Sequence, residues 1–264
     1  MRVSSLHIYP IKSLGGISLP SSVVDLRGLK YDRRWMLIDS KNTFLTQRTK
    51  PTLAKFSVSL MPEHLLVTNQ VNLESIRIPI SPETARFETV KVWDDEIKGQ
   101  LLNYEINEWF SDQLLEDVRL VFQPEDAKRR VDSKYSINGL EHTSLSDGYP
   151  ILVIGLASLN YLNERCSETI EMKKFRPNIV IDDCAAFQED TIREVRINNT
   201  QLFGVKPCAR CIMTTIDYQK LSFGKEPLLT LSTFRKFENK ILFGQNMVVH
   251  KEGQINVGDN LTIF

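Results

Sequence analysis

Pro207-Cys208-Ala209-Arg210-Cys211-Ile212-Met213-Thr214-Thr215 sets two thiols and a guanidinium directly ahead of a β-branched run. Three chemistries use cysteines at such spacing. A structural zinc site needs four ligands, usually from paired Cys/His knuckles, and the chain has no second pair suitably spaced. A thioredoxin-like redox pair sits at the N-terminus of a helix, where the dipole lowers the thiol pKa, whereas Ile212 to Ile216 predicts a strand. The third chemistry is a single thiolate on a soft metal centre, with Arg210 and backbone amides facing an anionic cofactor. Two buried cysteines acting as small hydrophobes are the plain alternative, and spacing alone does not overturn it.

Outward from this stretch the pattern is mostly strand. Ile179 to Ile181 and Glu194 to Ile197 precede it, and Met247 to His250, Gln254 to Val257 and Leu261 to Phe264 follow, with turns at Glu252-Gly253 and Gly258-Asp259. A helix is expected over Pro227 to Phe237, opened by its proline. Another is expected after the apolar run Ile151 to Ile154, with Ser158 as its cap and Leu159 and Leu162 on one face. Nearer the N-terminus, Trp35 to Ile38, Lys55 to Leu60, Leu65 to Thr68 and Thr89 to Trp93 are the clearest strands. Gly15-Gly16, Pro20, Gly28, Pro51, Pro62 and Pro82 break the chain between them, at the spacing of an all-β barrel or sandwich. Asn103 to Leu115 reads as a helix, with Ile106, Trp109, Phe110, Gln113 and Leu114 at three- and four-residue spacing and Asn103 as cap. Pro124 to His142, carrying Lys128-Arg129-Arg130, is polar and reads as a long surface loop. The fold expected is mainly β with a few helices (α+β), in two domains, residues 1–120 and 121–264.

Composition narrows the function classes. The chain has 264 residues, and its 33 basic and 33 acidic side chains cancel, so no overall field draws it to nucleic acid or to an anionic membrane. Any anion site must be local. Hydrophobic content of 42% and charged content of 25% are those of an ordinary globular protein. The most apolar stretch, Tyr149 to Leu162, is interrupted by Gly155, Ser158 and Asn160 and falls short of the ~20 residues a membrane span needs. Met1 to Ile8 lacks the features of a secretory signal, so a cytoplasmic protein is expected. The four cysteines, Cys166, Cys184, Cys208 and Cys211, do not resemble a secreted disulfide framework and are expected to be reduced.

Several separated motifs together go further than any one. Phe175-Arg176-Pro177-Asn178-Ile179-Val180-Ile181, then Pro207 to Thr215, then Phe243-Gly244-Gln245-Asn246 and Val257-Gly258-Asp259 resemble, in that order, the MOSC (molybdenum cofactor sulfurase C-terminal) domain. Tyr9-Pro10-Ile11-Lys12-Ser13, Gly28-Leu29-Lys30-Tyr31-Asp32-Arg33-Arg34-Trp35 and Thr46-Gln47-Arg48 resemble the β-barrel that precedes MOSC in one branch of the family. That branch holds the mitochondrial amidoxime-reducing components and the bacterial YcbX-like proteins. The likeness runs from about Leu6 to Phe264.

The resemblance implies an N-terminal β-barrel domain packed on a MOSC β-barrel domain, and a molybdenum cofactor (Mo-molybdopterin) ligated by Cys211, the catalytic cysteine. Cys208 matches the first cysteine of the motif and is not an expected ligand. Lys12, Ser13, Arg33, Arg48, Arg176 and Arg210 are the implied lining of the site for the cofactor's phosphate, which needs charge-assisted donors. An unpaired cation beside apolar strands is costly, so an anionic ligand would explain the placement of these cations. Asn178 is read either as bonding the pterin or as ending a loop, and Asp147-Gly148-Tyr149-Pro150 either as the mouth of the site or as a simple turn. His7, His64, His142 and His250 show no metal spacing, and His142 is the nearest to the Asp147 turn.

The implied activity is two-electron removal of oxygen from N-hydroxylated compounds such as amidoximes, hydroxamic acids, hydroxylamines and N-hydroxylated bases. The chain lacks a four-cysteine pattern for an iron–sulfur cluster, so electrons are expected from a separate donor of the ferredoxin, flavoprotein or cytochrome b5 type. Two other readings stay open. One is a sulfur carrier or sulfurtransferase using a cysteine persulfide, since MOSC domains also occur fused to pyridoxal-phosphate sulfurases and pyridoxal phosphate is a cofactor at family level. The other is a module that binds the molybdenum cofactor without catalysis.

Overall fold

A computed structural model describes the whole chain, Met1–Phe264, and its first strand already ties the two halves together. Arg2–Ile8 pairs on one side with Ile17–Leu19 and on the other with Ile179–Asp182, both antiparallel. Val3 and Leu6 enter the same core despite their odd spacing, because the register shifts at a bulge between Val3 and Ser5. Beyond Ile179–Asp182 the sheet continues through Ile151–Gly155, Lys240–Lys251, Thr200–Arg210, Glu194–Ile197 and Leu261–Ile263.

Ile151–Gly155 is buried at every position, which is why its sequence shows no alternation, and it runs parallel to Ile179–Asp182. Parallel neighbours need a crossover, and the helix Leu156–Asn163 supplies it. Gly244, with φ 83°, lets Lys240–Lys251 pass close over that strand. A Cβ there would lie 2.7 Å from Ile154 Cγ1 and 2.9 Å from the Val153 carbonyl.

In the N-terminal half Trp35–Ile38, Arg119–Phe122, Asp95–Leu101 and Phe87–Val92 form one sheet, and Phe56–Leu60, His64–Asn69 and Ser75–Pro79 another. Their shared core contains the fully buried Trp35, Phe56 and Phe110. The helix Tyr104–Leu114 turns Ile106 and Phe110 inward, and the Asn103 side chain accepts the Ile106 N–H at 3.1 Å, a cap worth about 1 kcal/mol. Tyr9–Ser13 is the crossing between halves. The Lys12 N–H donates to the Trp35 carbonyl at 2.8 Å, and Leu14 is buried in the N-terminal core.

Mainly β with few helices is the expected class, but three local expectations are corrected. Ile212–Thr215 is a turn of 3₁₀ helix rather than a strand, and the strand lies before it at Thr200–Arg210. The threonines decide this: Thr214 N and Oγ1 both donate to the Cys211 carbonyl at 3.0 Å, and Thr215 Oγ1 donates to that of Ile212 at 2.8 Å. Ser158 is not a cap, because Gly155 precedes the helix. The Ser158 hydroxyl is buried, donating to Glu189 at 2.8 Å and accepting the Phe187 N–H at 2.7 Å.

The stretch Pro124 to His142 is mostly exposed and irregular, as expected of a long surface loop, but it is anchored at a few points. Arg129–Arg130 pairs with His142–Thr143, and the Glu141 carboxylate is buried on the N–H groups of Ile137 and Asn138. The expected helix over Pro227 to Phe237 spans only Leu228–Phe234, because Lys236–Phe237 turns into a hairpin with Lys240–Lys251. No helix is long and apolar enough to cross a membrane.

Candidate functional site

A cavity of about 390 Å³ opens at the Tyr9–Ser13 crossing, and Lys12, Ser13, Arg33, Arg48, Arg176, Asn178, Arg210 and Cys211 all line it. Residues as far apart in the chain as Lys12 and Cys211 are thus brought to one place by the strand that joins the halves.

The deep wall is built on two arginines in the left-handed region. Arg33 has φ 48°, and Arg176, with φ 55°, ends the 3₁₀ turn Met172–Phe175. Non-glycine residues persist in that region only where their surroundings over-determine them. Both guanidiniums lie over the Tyr9 ring, 4.4 Å from its centroid for Arg33 and 4.1 Å for Arg176. Arg33 donates to Asp32 at 2.6 Å, to Asn178 Oδ1 at 3.1 Å and to the Arg176 carbonyl at 3.2 Å. Asn178 also accepts the Leu152 N–H and donates to the His7 carbonyl, so its amide ties three strands and aims Arg33. Arg176 donates only to the Leu14 carbonyl, at 2.7 Å, and its Nη2 is buried without a partner. Burial, reinforced by the neighbouring Arg33 charge, pulls its pKa down to about 10. It remains a cation at neutral pH.

The rim is built around Asp147. Lys12, buried, donates to Asp147 Oδ1 and to the Leu145 carbonyl, both at 2.8 Å, while Arg48 donates to Asp147 Oδ2 at 2.6 Å and Trp93 Nε1 to Oδ1 at 3.2 Å. Burial disfavours charge on Asp147, but Lys12 and Arg48 outweigh it and hold the carboxyl well below the usual range. Burial pulls Lys12 down to about 8, with Asp147 opposing the shift. Arg48 is raised: burial works against its charge, and Asp147 followed by Cys211 more than compensates. Arg129 braces this rim from behind. It donates to Asp95 at 2.6 Å and to the carbonyls of Ser144, Ser146 and Asp147 at 3.2, 2.5 and 2.9 Å.

At the lip, Cys211 follows the strand Thr200–Arg210 and is half-buried. Arg210, just before it, reaches back to the deep wall beside Arg176: it donates to the Phe175 carbonyl at 2.7 Å and to Cys208 Sγ at 3.0 Å, and its Nε is buried without a partner. Six lining side chains are basic (Lys12, Arg33, Arg48, Arg176, Lys206, Arg210) against one acid, Asp147. The expectation of unpaired cations is therefore corrected in part. Arg33, Lys12 and Arg48 have carboxylate partners, whereas Arg176 and Arg210 have none.

An anion that brings hydrogen-bond acceptors would satisfy the two orphaned N–H groups. No cluster of three or more His, Cys, Asp or Glu side chains is placed to hold a metal. A metal at Cys211 must therefore bring most of its own ligands, as a dithiolene-bearing pterin does. The donor set fits such a group. The cavity also recruits Trp93 and Lys206, which had no assigned role in the sequence beyond strand, and Asn246, which stood there only as part of a motif. Asp147-Gly148-Tyr149-Pro150 does form the mouth rather than a remote turn, with Asp147 through Tyr149 in the lining, and His142 pairs with Arg130 outside it.

Comparison with known proteins gives the family. Residues 1–117 match the family model of the MOSC N-terminal beta barrel domain, and residues 141–262 match that of the MOSC domain. The chain is 33% identical to mitochondrial amidoxime-reducing component 1 of Mus musculus, over 97% of this chain and 80% of that protein. It is 33% identical to mitochondrial amidoxime reducing component 2 of Rattus norvegicus, over 97% and 81%. Against component 1 of Homo sapiens the identity is 32%, again over 97% and 81%.

Proposed function

The chain belongs to the MOSC-domain proteins that carry their own N-terminal β-barrel domain, and from that premise we propose that it is an oxidoreductase reducing N-hydroxylated compounds with a molybdenum cofactor. The observation that carries this reading is a half-buried thiol, Cys211, at the lip of a cavity lined by two arginines without a carboxylate partner, Arg176 and Arg210. The names of the relatives, amidoxime-reducing components, support the reaction class. When bound, the cofactor would supply the two-electron removal of oxygen from an N–OH group.

The chain's own residues have distinct tasks in this reading. The Cys211 thiolate is the soft protein ligand for the metal. Arg176 Nη2 and Arg210 Nε, the two unmatched donors, take phosphate or pterin acceptors, and Arg33, Lys12 and Ser13 complete the lining around them. Asn178 acts through Arg33, which it orients. Arg48, held by Asp147, brings positive charge to the cavity that Cys211 lines. Only two of the four cysteines, Cys208 and Cys211, line the cavity, so the electrons are proposed to come from a separate carrier protein of ferredoxin, flavoprotein or cytochrome b5 type.

The test is turnover of benzamidoxime by protein made in a host that synthesises the cofactor, with a chemical reductant supplied. Wild type should form benzamidine, and Cys211→Ser should lose more than about 100-fold, beyond the cost of losing an outer-shell partner. No turnover, together with a persulfide on Cys208 or Cys211 by mass spectrometry, would move the assignment to sulfur transfer. Tight cofactor binding without turnover would reduce it to a binding module.

A further inference from the structure

Trp93 is the odd residue of the cavity. It follows the strand Phe87–Val92 with φ 59°, a conformation bulky side chains rarely adopt, and it is 48% exposed while lining a strongly basic cavity. Backbone outliers of this kind concentrate at functional sites, where the surroundings hold them. Three contacts do so here. Its Nε1 donates to Asp147 Oδ1 at 3.2 Å, the Arg48 guanidinium lies 5.0 Å from its ring centroid, and Phe44 meets it edge-on with centroids 5.0 Å apart and planes at 63°. The indole is fixed in orientation, yet about half of it is left uncovered.

Resting on the reading above, we propose that Trp93 is a specificity-determining residue, a fixed stacking platform that favours planar aromatic N-hydroxylated substrates over aliphatic ones. A ring already immobilised loses little freedom when a second ring lands on it, so the stacking gain is kept. Asp147 adds direction. Its carboxylate accepts from Lys12, Trp93 and Arg48, three of the about four acceptor sites a carboxylate offers, and one remains for an N–H of an aryl amidoxime stacked alongside. Arg48, which touches the indole, lines the same cavity as the proposed metal ligand Cys211.

The experiment compares benzamidoxime with acetohydroxamic acid, under chemical reductant, in wild type, Trp93→Phe and Trp93→Gly; glycine suits the left-handed backbone, so the second variant removes the ring without adding strain. Trp93→Gly should lower the ratio of kcat/KM for the aromatic over the aliphatic compound about tenfold, mostly through KM, and Trp93→Phe should keep it within about threefold. Equal losses for both compounds in Trp93→Gly would overturn the proposal and leave Trp93 as a support for Arg48 alone. Calorimetric binding of both compounds gives a second readout that needs no turnover. Benzamidoxime should bind wild type more tightly than acetohydroxamic acid, and the glycine variant should erase that preference. If wild type reduces neither compound but the binding preference stands, the functional reading fails and the platform survives. Absence of the preference in binding sinks the platform whatever the activity.

Discussion

The rim and the deep wall of the cavity both crowd cations together, and they resolve the crowding in opposite ways. At the rim, Lys12 and Arg48 share the Asp147 carboxylate, which sits on a loop braced by Arg129. On the wall, Arg176 and Arg210 have only carbonyl, ring and sulfur partners, and each keeps a buried N–H unmatched. A buried cation without a counter-charge costs several kcal/mol. The rim has already met its need for an anion, whereas the wall still carries one. The wall is therefore the surface left to meet an anion, and the rim is an edge whose charges are already paired.

Removing one cation from each side is the strongest way to break that contrast. Arg176→Met should lower the pterin retained by purified protein at least about tenfold, the value of one charge-assisted hydrogen bond to a buried acceptor. The same variant, free of cofactor, should be no less stable than wild type, because it removes a buried unpaired charge. Arg48→Met leaves Asp147 with Lys12, and pterin retention should fall less than about threefold while stability drops by up to about 1 kcal/mol. Pterin assay and denaturant titration check both, and equal losses from the two variants would erase the distinction.

A smaller effect sharpens the rim's half of the comparison. Lys12 titrates at about 8 in the folded protein, below the ~10.4 of an unfolded lysine. Between those values the unfolded chain binds the extra proton, so the cost of burying the ammonium is relieved and stability rises with pH, by no more than about 3 kcal/mol. Lys12→Met should flatten that rise in denaturation curves taken from pH 7 to 10; an unchanged slope would mean that Asp147 fully compensates the burial. Asp147, held below its usual pKa, has the opposite window. Its contribution is present above about pH 4 and is lost as the pH falls through its folded value, so Asp147→Asn should converge with wild type only in acid.

The wall was far more legible in the sequence than the rim. Arg33, Arg176 and Arg210 stand inside motifs of distinctive residues, and the strands around them show themselves by alternation or by unbroken apolar runs. Even so, alternation identifies a strand and not its partner. Nothing in Arg2–Ile8 announces pairing with Ile179–Asp182, yet that pairing builds the cavity. The rim depends on contacts that leave no local trace. Arg129 sits in the charged run Lys128-Arg129-Arg130, which reads as solvated, and its carboxylate partner Asp95 is 34 positions away. Trp93 reads as the last residue of a strand, and only its left-handed φ turns it toward the cavity. The run after Cys211 misleads for a related reason: threonine hydroxyls bonding back to the chain favour a tight turn over the strand their branching suggests.

The most direct test of the central claim is the molybdenum and pterin content of protein purified from a host that makes the cofactor, in wild type and in Cys211→Ser. The account predicts near-stoichiometric metal and pterin in wild type. In the variant, metal content or its electronic spectrum should change, while the wall arginines still retain some pterin. A folded wild-type protein that carries neither metal nor pterin would contradict it.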